Sequence, residues 1–213
     1  SWASERFPWL VLHPLLPLIL LAAIGGQWLW DRRRRLLPAA GLAASALGIA
    51  YLVVAGFGAA LLRPADPSEM LVYTQSSVDV PPITQELARM DESQRRSGGA
   101  PLGVDIDSAY GAAWPWAWYL RDYQRAGYVD MSLPGYSPTA QVLLVTDLNH
   151  GSLAPKLGRY TGRRFQLRVW WLPEFKRAGV TDWAQWLAWR RPWSPKGSFD
   201  EWILVRDDVG QGR

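Results

Sequence analysis

The densest run of chemically capable side chains is Val104-Asp105-Ile106-Asp107-Ser108-Ala109-Tyr110-Gly111-Ala112-Ala113-Trp114-Pro115-Trp116-Ala117-Trp118-Tyr119-Leu120-Arg121-Asp122-Tyr123. Asp105 and Asp107 bring two carboxylates to the end of a short apolar alternation. Tyr110, Trp114, Trp116 and Tyr119 supply aromatic faces, and Arg121 a cation. Carboxylates can hold a divalent cation or accept hydrogen bonds from sugar hydroxyls, while Trp and Tyr faces suit sugar rings or an isoprenoid chain. Arg121 has two candidate partners, a phosphate and the adjacent Asp122. An Asp-x-Asp pattern alone has three readings: a metal site, recognition of a polar ligand, or a strand end whose Asp107-Ser108 only shapes a turn. Asp105, Asp107, Tyr110, Trp114, Trp116, Tyr119 and Arg121 are the candidate ligand contacts.

Elsewhere the chemistry is sparser. Asp147-Leu-Asn149-His150 gathers polar groups after an apolar run, where loop capping competes with a site. Two widely spaced histidines cannot by themselves make a His-based zinc site, and no cysteine is available for thiolate chemistry or disulfides. Gly-x-Ser-x-Gly and glycine-rich phosphate loops are missing, so the hydrolase elbow and the nucleotide loop lack support.

The elements that would position the motif read as alternating strands and helices. Glu69–Gln75 reads as a short strand. The stretch from Asp79 to Met90 has prolines near a helix start and Ile83, Leu87 and Met90 at helical spacing. Pro101–Asp107 reads as a strand, Trp114–Ala126 as a helix with Pro115 in its first turn, and Gly127–Asp130 as a short strand. Gln141–Asp147 is a buried strand, His150–Gly158 a short helix, Arg164–Leu172 a half-exposed strand and Glu201–Arg206 a closing strand. This alternation predicts an α/β domain with a mostly parallel sheet in Rossmann-like layers. The motif would then lie at the carboxyl end of a strand, where open α/β sheets bind ligands.

Upstream of this domain, Pro8–Trp30 and Leu36–Leu62 are stretches of 23 and 27 residues without Asp, Glu, Lys or Arg. Either is long enough to span a bilayer core, which takes roughly 20 residues. Asp31-Arg32-Arg33-Arg34-Arg35 lies between them. The expectation is therefore a membrane α-helical hairpin over residues 1–62, with spans at 8–30 and 36–62 and a cytoplasmic arginine loop at 31–35. Residues 63–213 would form an extracytoplasmic domain that begins at the helix-breaking Arg63-Pro64-Ala65-Asp66-Pro67. Trp2, Trp9, Trp28 and Trp30 fall where aromatic belts lie. His13, Pro14 and Pro17 interrupt the first span, His13 facing neighbouring helices or serving protons or substrate.

Charge supports this division. Residues 1–62 carry a net +3 and residues 63–213 only +1, so the basic excess marks topology and no basic stripe marks a nucleic-acid face. The chain begins Ser-Trp-Ala, with no signal-peptide n-region ahead of the first span. That span would run from outside to inside, so the expectation is the C-terminal piece of a longer polytopic protein whose upstream helices pack beside it. Near the other end, residues 181–191 form a Trp-rich amphipathic helix with Trp183, Trp186 and Leu187 on one face and Arg190 and Arg191 at its tip. Two fates suit such a helix: the headgroup region of a bilayer, or packing on the sheet.

Three segments also carry a resemblance. Glu69-Met-Leu-Val-Tyr-Thr-Gln-Ser-Ser-Val-Asp-Val-Pro, Trp114-Pro-Trp-Ala-Trp-Tyr-Leu-Arg-Asp-Tyr and Trp193-Ser-Pro-Lys-Gly-Ser together resemble the C-terminal part of a family of bacterial and archaeal polytopic membrane proteins, flippase-activity-associated and protein-mannosyltransferase-like. The resemblance covers most of residues 63–208 and implies a class C glycosyltransferase, which takes sugar from a polyprenyl-phosphate carrier outside the membrane. The implied catalytic carboxylate lies in a first outer loop, upstream of this chain. A more distant likeness is to the oligosaccharyltransferase catalytic subunit, whose Trp-Trp-Asp acceptor motif is replaced here by Trp-Pro-Trp-Ala-Trp-Tyr. The implied partners are membrane lipid, a polyprenyl-phosphate sugar and a glycan or protein acceptor, with a divalent metal as a candidate cofactor of the full-length protein. The alternative is a non-catalytic extracytoplasmic module that assists the flipping of lipid-linked glycans.

Overall fold

The computed structural model describes residues 12–36, 39–70 and 74–209. Trp2, Trp9 and the start of the first apolar stretch lie outside them, as do residues 71–73 of the expected first strand. The side chains of His13, Pro14, Trp30 and Arg32–Arg35 also lie outside what is described. The chain forms two compact units: residues up to 73 with 173–193, and residues 74–172 with 194–213. The outer domain expected over 63–213 is thus divided, because the segment after the second helix and the 173–193 excursion both cluster with the helices.

In the first unit, α1 (Leu12–Leu36) runs through Pro17 and on through Asp31–Arg35. The arginine segment expected as a loop is therefore the last part of a helix. It is followed by α2 (Ala39–Phe57), which widens into a π-helical turn at Gly58–Leu62, where the Arg63 N–H bonds the Gly58 carbonyl at 2.9 Å. Ala43–Leu62 is long and apolar enough to cross a membrane; Leu15–Trp28 is a shorter apolar helix. Both expose rows of Leu, Ile and Val, such as Leu16, Leu21, Leu52 and Val54. Continuous apolar surface of that kind calls for a covering phase or partner. The unit is completed by α6 (Val180–Trp189).

The second unit is a six-stranded sheet of order β1-β5-β6-β4-β2-β3. The strands are β1 (Gln75–Ser76), β2 (Val104–Asp107), β3 (Ala126–Val129), β4 (Val142–Thr146), β5 (Tyr160–Trp170) and β6 (Gly197–Arg206). The expected mostly parallel, Rossmann-like sheet is corrected to a mixed one. β2 runs parallel to β3 and to β4, but β4–β6, β5–β6 and β1–β5 are antiparallel. The physical reason lies in the last third of the chain. β5 does not dock beside β4; β6 returns through residues 171–196 and enters between them, pairing Thr146 with Glu201 on one side and Phe165 with Glu201 on the other.

Helices cover both faces. α3 (Val80–Arg96), with Pro81 and Pro82 in its first turn, and α4 (Ala113–Tyr119) cover one. There Val80, Ile83, Leu87, Trp116 and Leu120 pack on Val104, Ile106, Leu144, Leu167 and Ile203. On the other face α5 (Asp147–Leu153) helps bury Leu143, Val145 and Leu204 with Met131 and Leu157. All of β4 is buried, as an apolar strand sandwiched between two layers must be. α4 is shorter than the Trp114–Ala126 helix expected, since a turn from Leu120 to Tyr123 redirects the chain to β3.

Candidate functional site

The site is built at the carboxyl ends of β2 and β4, and its base is Asp107. This carboxylate is fully buried. Its Oδ1 accepts from the N–H groups of Ala109 (3.1 Å) and Met131 (3.2 Å). Its Oδ2 accepts from the Thr146 N–H (3.3 Å), the Thr146 hydroxyl (2.7 Å) and the Asn149 side-chain amide (2.8 Å). Five donors saturate it, so Asp107 holds β2, β4, the 108–111 turn and α5 together and offers nothing to a ligand. Thr146 caps α5 at the same time, its hydroxyl accepting from the Asn149 N–H. Asp147-Leu-Asn149-His150 accordingly reads as capping.

Above this base the loop is forced into an uncommon shape. Tyr110 (φ 56°) and Gly111 (φ 72°) both sit in the left-handed region, which glycine tolerates and a tyrosine does not without strain. On the sheet side, Arg168 of β5 lies over the Phe199 ring and donates to the Gly111 carbonyl at 3.3 Å. This arrangement leaves Tyr110, Trp114 and Trp118 exposed at 62 %, 63 % and 59 % of their surface. Arg121 lies over the Trp118 ring at 4.5 Å, donates to the Trp118 carbonyl and stands 3.7 Å from Asp122.

Trp116 takes the opposite role. It is fully buried, edge-on to Phe165, and its indole N–H donates to Glu201 Oε2 at 2.8 Å. Glu201 is itself fully buried, and its Oε1 has no hydrogen-bond partner among the described residues. Burial and the nearby Asp107 charge push its pKa up to about 8, against the Trp116 hydrogen bond and Arg168, so the acid is mainly protonated at neutrality. Asp105, on the other face, accepts from the Tyr136 hydroxyl at 3.2 Å; burial raises its pKa and that bond lowers it. The Tyr136 phenol is pushed up by burial and by Asp105.

Of the seven residues singled out in the sequence, Tyr110, Trp114 and Arg121 are each exposed. Tyr119 is half-buried against the core, Asp105 is engaged by Tyr136, and Asp107 and Trp116 are inside the protein. Among the candidate contacts, Asp107 and Trp116 are thus placed as internal supports. Sequence reasoning passed over Trp118 and Glu201. The signal for Glu201 was alternation: it shares a strand face with Ile203 and Val205, which pack in the core, and an acid on that face is anomalous. Among the described residues no group of three or more His, Asp or Glu side chains is placed to hold a metal ion.

Comparison with models of protein families, with curated proteins and with solved structures finds no match for this chain.

Proposed function

We propose that the α/β unit is a ligand-recognition module of a membrane protein that handles polyprenyl-phosphate-linked sugars, and that Tyr110, Trp114 and Trp118 form its contact surface. The observation that carries this reading is the exposure of all three aromatic side chains, Tyr110 on a strained loop at the carboxyl end of parallel strands and Trp114 and Trp118 on α4 directly after it. Strained backbone is retained where surrounding structure enforces it, and here Asp107 and Arg168 do so from beneath. Aromatic faces take sugar rings or isoprenoid, and Arg121 beside Trp118 adds a cation for phosphate. The membrane reading draws on the apolar Ala43–Leu62 helix, and the extracytoplasmic placement of the module on the arginines at the end of α1. The sequence resemblance to class C glycosyltransferases supplies the substrate class. The motif's acids are engaged within the fold, which favours binding over catalysis for this module.

The test is glycosyl transfer from a polyprenyl-phosphate sugar by the full-length protein in membranes. Trp114→Ala and Trp118→Ala should each lower transfer about tenfold, the equivalent of one stacked aromatic contact, with protein levels unchanged. Undiminished transfer in both variants would overturn the proposed surface. A full-length protein that binds the carrier through these residues yet transfers no sugar would make the module's host a flipping-associated protein rather than an enzyme.

A further inference from the structure

Helix α6 carries three different faces, and one of them is fastened by hydrogen bonds and ion pairs within its own unit. Trp186 and Arg190 form the docked edge. The Trp186 indole N–H donates to the Ser68 carbonyl at 2.8 Å, and its ring lies 4.5 Å from the Arg190 guanidinium. Arg190, at the helix end in a left-handed conformation, pairs with Glu69 at 3.1 Å, and Glu69 also takes Arg63 at 3.2 Å. Arg190 donates to the Tyr51 hydroxyl at 3.2 Å, and that hydroxyl donates to the Leu187 carbonyl at 2.9 Å. The helix is thus clamped to α2 and to the turn that follows it.

At 100° per residue, a second face brings together Val180, Trp183, Ala184, Leu187 and Ala188, all of them exposed, with Trp183 at its edge also packing on Phe175 and Trp193. Val180 is 87 % and Leu187 45 % exposed. The third face carries Thr181, Asp182, Gln185 and the exposed Trp189.

What covers the apolar face follows from the level at which the clamp grips. Tyr51 lies near the middle of the apolar Ala43–Leu62 helix, about 16 Å of helix rise before its end at Leu62. Allowing for the reach of a Tyr side chain, the last turn of α6 lies beside the outer part of that helix and not beyond it. The charges at this depth are compensated: Glu69 is buried between two guanidiniums, and Arg190 is stacked on Trp186. Arg191, near the Trp189 ring, is exposed and free to reach lipid phosphates.

We infer that α6 is an in-plane membrane helix, with its Val180–Leu187 face immersed in the acyl region of the leaflet at the Leu62 end of α2 and its Gln185 face toward headgroups and water. The inference rests on α2 being a membrane span. It assigns to lipid a helix whose sequence suits sheet packing equally well.

The chain has no cysteine, so single-cysteine variants of the whole protein can carry one nitroxide each. Val180→Cys, Ala184→Cys, Leu187→Cys and Gln185→Cys report on α6; Leu52→Cys, Val53→Cys and Val54→Cys report on α2 in three directions. The protein is placed in phosphatidylcholine/phosphatidylglycerol nanodiscs, and collisions with oxygen and with a neutral nickel chelate are measured by EPR. Positions 180, 184 and 187 should favour oxygen several-fold more than position 185. Nickel access at all three overturns the inference in favour of water, and protection from both reagents overturns it in favour of a protein partner, either outcome leaving the α2 reading intact when an α2 position favours oxygen. If none of the three α2 positions favours oxygen, the membrane reading falls and the inference with it. Ala184→Cys, the smallest change on that face, guards against a folding defect at the larger sites.

Discussion

Glu201 is a fully buried acid whose carboxyl accepts from the Trp116 indole, and its pKa is pushed from 4.5 up to about 8. An acid with a raised folded-state pKa keeps a proton that the unfolded chain has already released. Its contribution to stability is therefore greatest below about pH 4.5 and is lost as pH rises toward 8, at about 1.4 kcal/mol per pH unit for full coupling. Detergent-solubilised protein should melt at lower temperature at pH 8 than at pH 5. Glu201→Gln should remove most of that slope, leaving the smaller one of the same sign from Asp105, whose pKa burial also raises. Equal slopes in the two proteins would show that Glu201 does not titrate across this range. At Tyr110 stability and recognition should part company. Tyr110→Gly relieves a left-handed tyrosine and should stabilise by about 1 kcal/mol in a thermal melt, while reducing binding of the lipid-linked sugar. At this scale the sequence was legible for position and not for role. Asp107 was recognisable as a group at a strand end, but the Asn149 and Met131 groups that saturate it come from distant segments.

At the scale of elements, most strands and helices were readable because their periodicities are strong: α3 has Ile83 and Leu87 on one face, and β4 is an unbroken apolar run. The sheet order was not readable. β5 and β6 form the longest antiparallel pair, yet residues 171–196 separate them and contain a helix of their own. Alternating strands and helices normally imply parallel crossovers, and nothing local distinguishes a helix inserted in a hairpin from a crossover helix. The clamp on that helix was hidden for a similar reason, since Glu69 and Arg190 are 121 residues apart. Glu69→Gln should test the clamp. It weakens the attraction for both Arg63 and Arg190, and breaking a buried pair costs about 3–5 kcal/mol. Amide exchange across Val180–Trp189 should accelerate by at least tenfold while β4 and β6 keep their protection. Unchanged exchange in α6 would show that Trp186 and Tyr51 hold the helix without the carboxylate.

The whole molecule is two units threaded through one another in sequence, and the threading has a consequence for folding. The α/β unit is complete in residues 74–172 and 194–213, interrupted only by the 173–193 excursion. Across that gap the chain nearly closes on itself: the Trp171 indole N–H donates to the Ser194 hydroxyl at 2.8 Å, and Trp170 pairs with Gly197. A short Gly-Ser linker from Leu172 to Ser194 would convert the interrupted β5–β6 pair into an ordinary hairpin and shorten the loop that must close. Every strand pairing and both core clusters lie within the retained residues. A fragment of 74–172, linker and 194–213 should therefore be monomeric in buffer without detergent, by size-exclusion chromatography, and melt cooperatively by circular dichroism. The matching fragment 74–213, with α6 kept but Tyr51, Ser68 and Glu69 removed, has lost the helix's clamp and leaves Val180 and Leu187 exposed. It should associate or require detergent, as an uncovered apolar helix face does. If the excised fragment fails to fold while 74–213 stays monomeric, the 173–193 segment is part of the sheet's core after all, and the boundary between the units lies elsewhere.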